Sequence, residues 1–231
     1  MKKIVVVTGA NRGIGLAVSR QMADLGFHVI MTGRSSEKIQ ASLQEITAPG
    51  RSLAAYQLDV TSEPSIRHLQ EVLKENYGRV DVLIHNAGII GSSTSISNAS
   101  MQEIREVMET NFFGPLLLTQ KLLPLLSKSE DPRIINISSG MGAMDDLNGS
   151  YAAYRLSKAG LNNQTIMFSN ALKSEKVKVY AMCPGWVKTD MGGTSAPLTP
   201  DEGADTAVWL STALPPPPTG KFFRKRREIH Y

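Results

Sequence analysis

Residues 151–158 read YAAYRLSK. Each of the two tyrosines has a cation four positions later, Arg155 after Tyr151 and Lys158 after Tyr154. On a helix, positions i and i+4 share one face about a turn apart, so the cation stands beside the phenol without replacing it. A free phenol, with a pKa of about 10, holds its proton too firmly to act well near neutrality. A neighbouring cation favours the phenolate and is expected to lower that value by roughly one to three units. Such a pair can give or take a proton at a reacting oxygen. Spacing alone selects neither tyrosine, and for these eight residues by themselves an ordinary helical pair is the better reading.

A second constellation is TGANRGIG at 8–15, which joins an apolar run to the helical pattern LAVSRQMADLG at 16–26. Glycines there permit a tight turn and let backbone N–H groups approach a pyrophosphate, whose charge the helix N-terminus favours. The strand–loop–helix context turns the pattern into a dinucleotide site, with Gly9, Asn11, Arg12, Gly13, Ile14 and Gly15 as its expected cradle. About 20 residues on, a carboxylate would bind the ribose 2′-OH of NAD. This chain has Thr32, Gly33, Arg34 and Ser35 instead. With no carboxylate to repel a 2′-phosphate, and with Arg34 and Arg12 to pair with it, the pattern favours NADP(H) over NAD(H). Asp59 and Val60, after the third strand, are placed to face the adenine.

Other chemistries lack their residues. The four histidines, His28, His68, His85 and His230, lie far apart, and no Cys/His pairing has metal-ligand spacing, so no metal site is expected. No G-x-S-x-G turn presents a nucleophilic serine. The single cysteine, Cys183, cannot form an internal disulfide and agrees with a reducing compartment. No run of about 18 apolar residues spans a bilayer, and MKKIVVVTGANRG is too short in apolar residues for a signal peptide. A cytoplasmic protein without a membrane partner is expected. Residues 221–231, KFFRKRREIHY, hold five basic residues against one acidic and so carry the whole net charge of +4. A terminal cluster of this kind reads as a last strand followed by a solvated basic tail at 224–231, not as a nucleic-acid face.

The elements that must position these groups follow from periodicity. Apolar, β-rich runs recur at 2–8, 27–32, 53–60, 79–85, 133–138 and 177–182, with a seventh at 221–223 after PPPP. Between them lie segments with apolar residues three and four apart, such as SSEKIQASLQEI at 35–46 and EPSIRHLQEVLKENY at 63–77. Alternation of this kind predicts a single α/β domain over residues 1–231, a Rossmann-type doubly wound parallel sheet of about seven strands with helices on both faces. Residues 190–202, DMGGTSAPLTPDE, break every regular pattern and read as a loop or lid.

TGANRGIG, LDV at 58–60, HNAG at 85–88, Asn111, the Ser138–Ser139 pair, YRLSK at 154–158 and PGWVKT at 184–189 occur in the order of the short-chain dehydrogenase/reductase family, which the chain resembles over nearly its full length. Within the family it looks most like the carbonyl-reductase branch, through NFFGPLLLTQ, PGWVKTDMGG, DEGADTAVWL and TGKFF. The resemblance selects Tyr154 and Lys158 as the proton-donating pair. It also implies Ser139 as the hydroxyl on the substrate oxygen, and the main-chain carbonyl of Asn111 as holder of a water that contacts the lysine. Asn86, Ala87 and Gly88, with Pro184, Gly185, Val187 and Thr189, are implied for the cofactor, as are Tyr154 and Lys158 themselves. His85 stands where the family usually has asparagine and reads as a tolerated strand-end change. Pro115, four residues after Asn111, has no N–H to offer that carbonyl, so a Gly114–Pro115 kink is expected to present it to the relay water.

The expected activity is NADPH-dependent hydride transfer to the carbonyl of a small lipophilic aldehyde or ketone. Its pocket is framed by Ile89, Ile90, Met141, Met144, Trp186 and Met191, with Asp145 and Asp146 at a polar rim. An alcohol or hydroxysteroid dehydrogenase working oxidatively is the alternative among enzymes, and a dinucleotide-binding regulator the alternative outside them. Family members commonly pair through the helices expected at 101–126 and 150–173, so a homodimer or homotetramer fits the resemblance.

Overall fold

The structure is a computed structural model that describes residues 2–231. Its sheet contains eight strands in the order β3-β2-β1-β4-β5-β6-β7-β8. They are β1 Ile4–Val7, β2 His28–Gly33, β3 Ser52–Gln57, β4 Val82–His85, β5 Arg133–Ile137, β6 Lys178–Met182, β7 Lys221–Arg224 and β8 Arg227–Ile229. All neighbours run parallel except β7 and β8, which are antiparallel. Burial on both faces explains why β1 is uninterruptedly apolar. Val5 and Val7 join one core cluster with Val18, Met22 and Leu210, while Ile4 and Val6 join a second, on the opposite face, with Leu69, Leu118 and Leu122.

The helices are α1 Gly13–Asp24, α2 Ser36–Ile46, α3 Glu63–Asn76, α4 Met101–Met108, α5 Gly114–Leu126, α6 Ala152–Ala171 and α7 Pro200–Thr212. Side chains cap most of their N-termini: Ser35, Ser62, Ser100 and Thr199 accept from the backbone of α2, α3, α4 and α7. The chain crosses from one side of β1 to the other between β3 and β4, which opens a crevice at the carboxyl ends of β1 and β4.

Three expectations change. The stretch 101–126 is not one helix but α4 and α5 joined by a π-helical turn at Glu109–Phe113, closed by Gly114 N–H donating to the Glu109 carbonyl. The segment 190–202 is irregular only as far as Thr199, because Thr199 and Glu202 form a reciprocal capping box that starts α7 at Pro200. The basic terminus 224–231 keeps its basic side chains exposed, as expected, but is not a free tail. It folds back as β8, and the Tyr231 ring stacks on Phe222 at 5.4 Å while its hydroxyl donates to the Gly220 carbonyl at 3.1 Å. Apolar Phe222 needs cover on the outer edge of the sheet, and Ile229 and Tyr231 supply it.

Candidate active site

A cleft of about 840 Å³ runs along the carboxyl ends of the strands, from the glycine loop to the segment after β5. Gly9, Asn11, Arg12, Gly13, Ile14 and Arg34 line one end. Val60, Asn86, Ala87, Gly88, Ser139, Tyr154, Lys158, Pro184, Gly185, Val187 and Thr189 line the rest, with Asn86 and Thr189 adjoining the glycine loop. Three expected residues stand behind the wall. Asp59 turns its carboxylate to the Thr61 N–H and hydroxyl at 2.9 and 2.7 Å, leaving Leu58 and Val60 on the cleft. Gly15 is a packing glycine, since a Cβ there would lie 2.4 Å from the Gly9 carbonyl oxygen and from Asn86 Nδ2. Asn111 is fully buried, and its amide clamps Ile89, accepting from its N–H at 2.9 Å and donating to its carbonyl at 2.8 Å.

α6 carries the two central residues. Tyr154 and Lys158 are 7% and 5% exposed, and the ammonium lies 5.6 Å from the centre of the phenol ring. Lys158 Nζ donates to the Ile137 carbonyl at the end of β5, at 2.8 Å. The Asn111 amide also donates to Ser157 Oγ at 3.0 Å, and that hydroxyl donates to the Tyr154 carbonyl at 2.8 Å, so the first turns of α6 are fixed from behind. The two adjacent serines have separate jobs. Ser138 turns inward and donates to Asn162 Oδ1 at 2.6 Å, whereas Ser139 lies on the cleft beside the Tyr154 hydroxyl and accepts from Met141 N–H at 3.1 Å.

Burial overturns the expected charge balance of the pair. It pushes the Tyr154 phenol up to about 12, with the Ser139 hydroxyl pulling the other way and Cys183 adding to the rise. Burial also pushes the Lys158 ammonium down to about 8, against a smaller upward pull from Cys183. The lysine therefore does not draw the phenol into the neutral range. Removing both groups from water is the larger effect, and the ammonium spends part of its field on the Ile137 carbonyl. At neutral pH the site holds a protonated phenol beside a cation.

The wall at 140–151 depends on residues that periodicity does not reveal. Tyr151 lines the cleft from a left-handed backbone, φ 51° and ψ 43°, and caps α6. Arg155 is buried instead of forming a second catalytic-type pair, and it donates to the carbonyls of Ser150, Met141 and Asp146 at 2.9, 3.2 and 2.5 Å. Of the expected pocket residues, Ile89, Ile90, Met141, Asp146, Trp186 and Met191 line the cleft, while Asp145 does not and Met144 points to solvent at 69% exposure. His85 is buried, hydrogen-bonded to Thr119 Oγ1 at 2.8 Å, and pushed down by burial to about 3. That is a neutral packing residue under the strand end.

A parallel sheet with its crevice at the strand ends, a glycine loop entering a helix, and a tyrosine and lysine one turn apart together define a dinucleotide-dependent oxidoreductase of the α/β type. The chain belongs to the short chain dehydrogenase family, whose model matches residues 3–198. It is 33% identical to human "Carbonyl reductase [NADPH] 1", with 97% of this chain and 96% of that protein covered. It is 31% identical to "(+)-neomenthol dehydrogenase" of Arabidopsis thaliana, with 97% of each chain covered. Among solved structures, the NADPH-bound carbonyl reductase from chicken fatty liver superposes with a TM-score of 0.90 at 32% identity, covering 100% of this chain and 99% of the other.

Proposed function

We propose that this protein is an NADPH-dependent reductase that adds hydride to the carbonyl carbon of a small lipophilic aldehyde or ketone, with Tyr154 as the general acid. The observation that carries the reading is the meeting of Ser139, Tyr154 and Lys158 on one wall of a cleft whose far end is the glycine loop. The loop fits the cofactor on its own terms. α1 has no side-chain cap on its first N–H groups and no acidic residue in its first turn, unlike α2, α3, α4 and α7. Those N–H groups stay available for a pyrophosphate.

Gly9, Asn11, Gly13 and Ile14 would hold the pyrophosphate, Arg34 and Arg12 the 2′-phosphate, and Leu58 and Val60 the adenine. Arg12 is ion-paired to Asp190, with both side chains about 70% exposed, so it can exchange that partner at little cost. Asn86 to Gly88 and Lys158 would hold the nicotinamide ribose, and Pro184, Gly185, Val187 and Thr189 the carboxamide. NADPH supplies the hydride. Tyr154 gives its proton to the carbonyl oxygen, and Ser139 donates to the same oxygen as negative charge grows there. Lys158 stabilises the phenolate left behind, and Asn111 holds a water at its main-chain carbonyl for resupply of the proton. A phenol that keeps its proton at neutral pH is in the state that reduction requires of its acid.

The test is NADPH and NADH oxidation with a panel of aldehydes and ketones. Tyr154→Phe should lower kcat/KM by about 10²- to 10⁴-fold while NADPH still binds. Tight NADPH binding with no turnover of any carbonyl would instead point to a regulator.

A further inference from the structure

One basic residue of the C-terminus lies on the cleft. Arg224, the last residue of β7, lines it together with Gly185 and Trp186. The Cys183 N–H donates to the Phe223 carbonyl at 2.8 Å, so Arg224 follows directly beside Cys183, about one strand spacing of 4.8 Å away. Cys183 in turn accepts from the Gly140 N–H at 3.2 Å, next to Ser139. Alternation along β7 puts Phe223 in the core cluster with Tyr180 and Phe222 in the cluster with Ala143 and Cys183, so Arg224 shares the latter face. Its Nη2 lies 3.8 Å from the place a Gly185 Cβ would occupy, at a residue whose φ of +84° favours glycine.

The turn after Arg224 is built at a cost. Lys225 and Arg226 form a two-residue hairpin loop with φ of 50° and 59°, in a region that asparagine and glycine fill more easily. Arg226 anchors it to α7, its Nε donating to Asp205 Oδ2 at 2.8 Å and its N–H to Thr206 Oγ1 at 3.2 Å. Lys221 pairs with Glu228 at 2.8 Å. Arg224 has no acidic partner among the described residues. It cannot share the role of Arg34, because β2 and β7 are five strand spacings apart, roughly 24 Å.

We infer that Arg224 is a specificity residue for carbonyl substrates that also carry an anionic group, a carboxylate above all, which its guanidinium grips while the carbonyl lies at Tyr154. This rests on the reductase reading and narrows its substrate class: the apolar wall of Ile89, Ile90, Met141 and Trp186 takes the body of the molecule and Arg224 its charged end. A guanidinium–carboxylate contact at a cleft rim is worth about ten-fold in affinity.

The experiment compares 4-carboxybenzaldehyde with methyl 4-formylbenzoate, which differ in one charge. In the wild type the ratio of kcat/KM, acid over ester, should be high and should fall with added salt. Arg224→Ala should lower that ratio about ten-fold through KM of the acid, and Arg224→Glu further, while Arg224→Lys restores part of it. The same ratio in wild type and Arg224→Ala, with both compounds turned over, overturns the inference and leaves the reductase standing. No turnover of either compound or of the wider carbonyl panel overturns the reductase reading, and this inference with it.

Discussion

In the proposed reduction, Tyr154 and Lys158 divide one problem between them. The phenol, held near 12 by burial, keeps its proton through the whole neutral range, so supply of the proton does not limit the acid. The ammonium, lowered to about 8, is the group that titrates where enzymes work. Below that value Lys158 is charged and, in the proposed mechanism, stabilises the phenolate formed when the proton leaves; above it the charge is lost. Reductive kcat/KM should therefore be flat from about pH 6 to 7.5 and fall up to ten-fold per unit above about 8. A profile measured from pH 6 to 10 checks this, and a limb near 10 would show that Lys158 is not the titrating group.

At the scale of elements, the break between α4 and α5 sets the position of Asn111. A π-helical turn places one extra residue in the ring, and Pro115, in the first turn of α5, cannot donate to the carbonyl four residues earlier. Gln164 on α6 donates to the Phe112 carbonyl at 2.8 Å, so the widened turn is tied to the helix that carries Tyr154. Pro115→Ala restores an N–H that can regularise the helix and shift the Asn111 clamp on Ile89. The expected result is a kcat lowered about ten-fold with thermal stability kept or raised, because alanine suits a helix. Kinetics unchanged at every pH would remove the turn from the mechanism.

At the scale of the molecule, the sheet edge and the cleft are coupled through the last strand. β8 and Tyr231 cover Phe222, and the same hairpin presents Arg224 to the cleft. Deleting residues 227–231 uncovers Phe222 and removes the burial of Ile229 and Tyr231, a loss of about 2 kcal/mol. For a chain of this size that corresponds to a melting temperature lower by about 4–8 °C. Calorimetry measures the shift, and a truncated protein that melts with the full chain would show that the hairpin is not part of the cooperative unit.

The amino-acid sequence by itself determined what near neighbours along the chain encode. The first seven strands, the glycine loop before α1 and the i,i+4 spacing of Tyr154 and Lys158 all follow from periodicity and local residue type. The capping box at Thr199 and Glu202 was also written there, as T-x-x-E inside a stretch that otherwise reads as loop. Tertiary structure decided the rest. Whether a cation lowers its neighbour's phenol depends on how much water both have lost and on the Ile137 carbonyl, the Ser139 hydroxyl and Cys183, which other elements bring to the pair. Arg155 and Lys158 look alike in sequence, yet one pins a loop by three carbonyls and the other faces the cleft. Arg224 sits 41 residues beyond Cys183 in the chain and beside it in space, because parallel strand pairing brings together residues whose proximity no local pattern records.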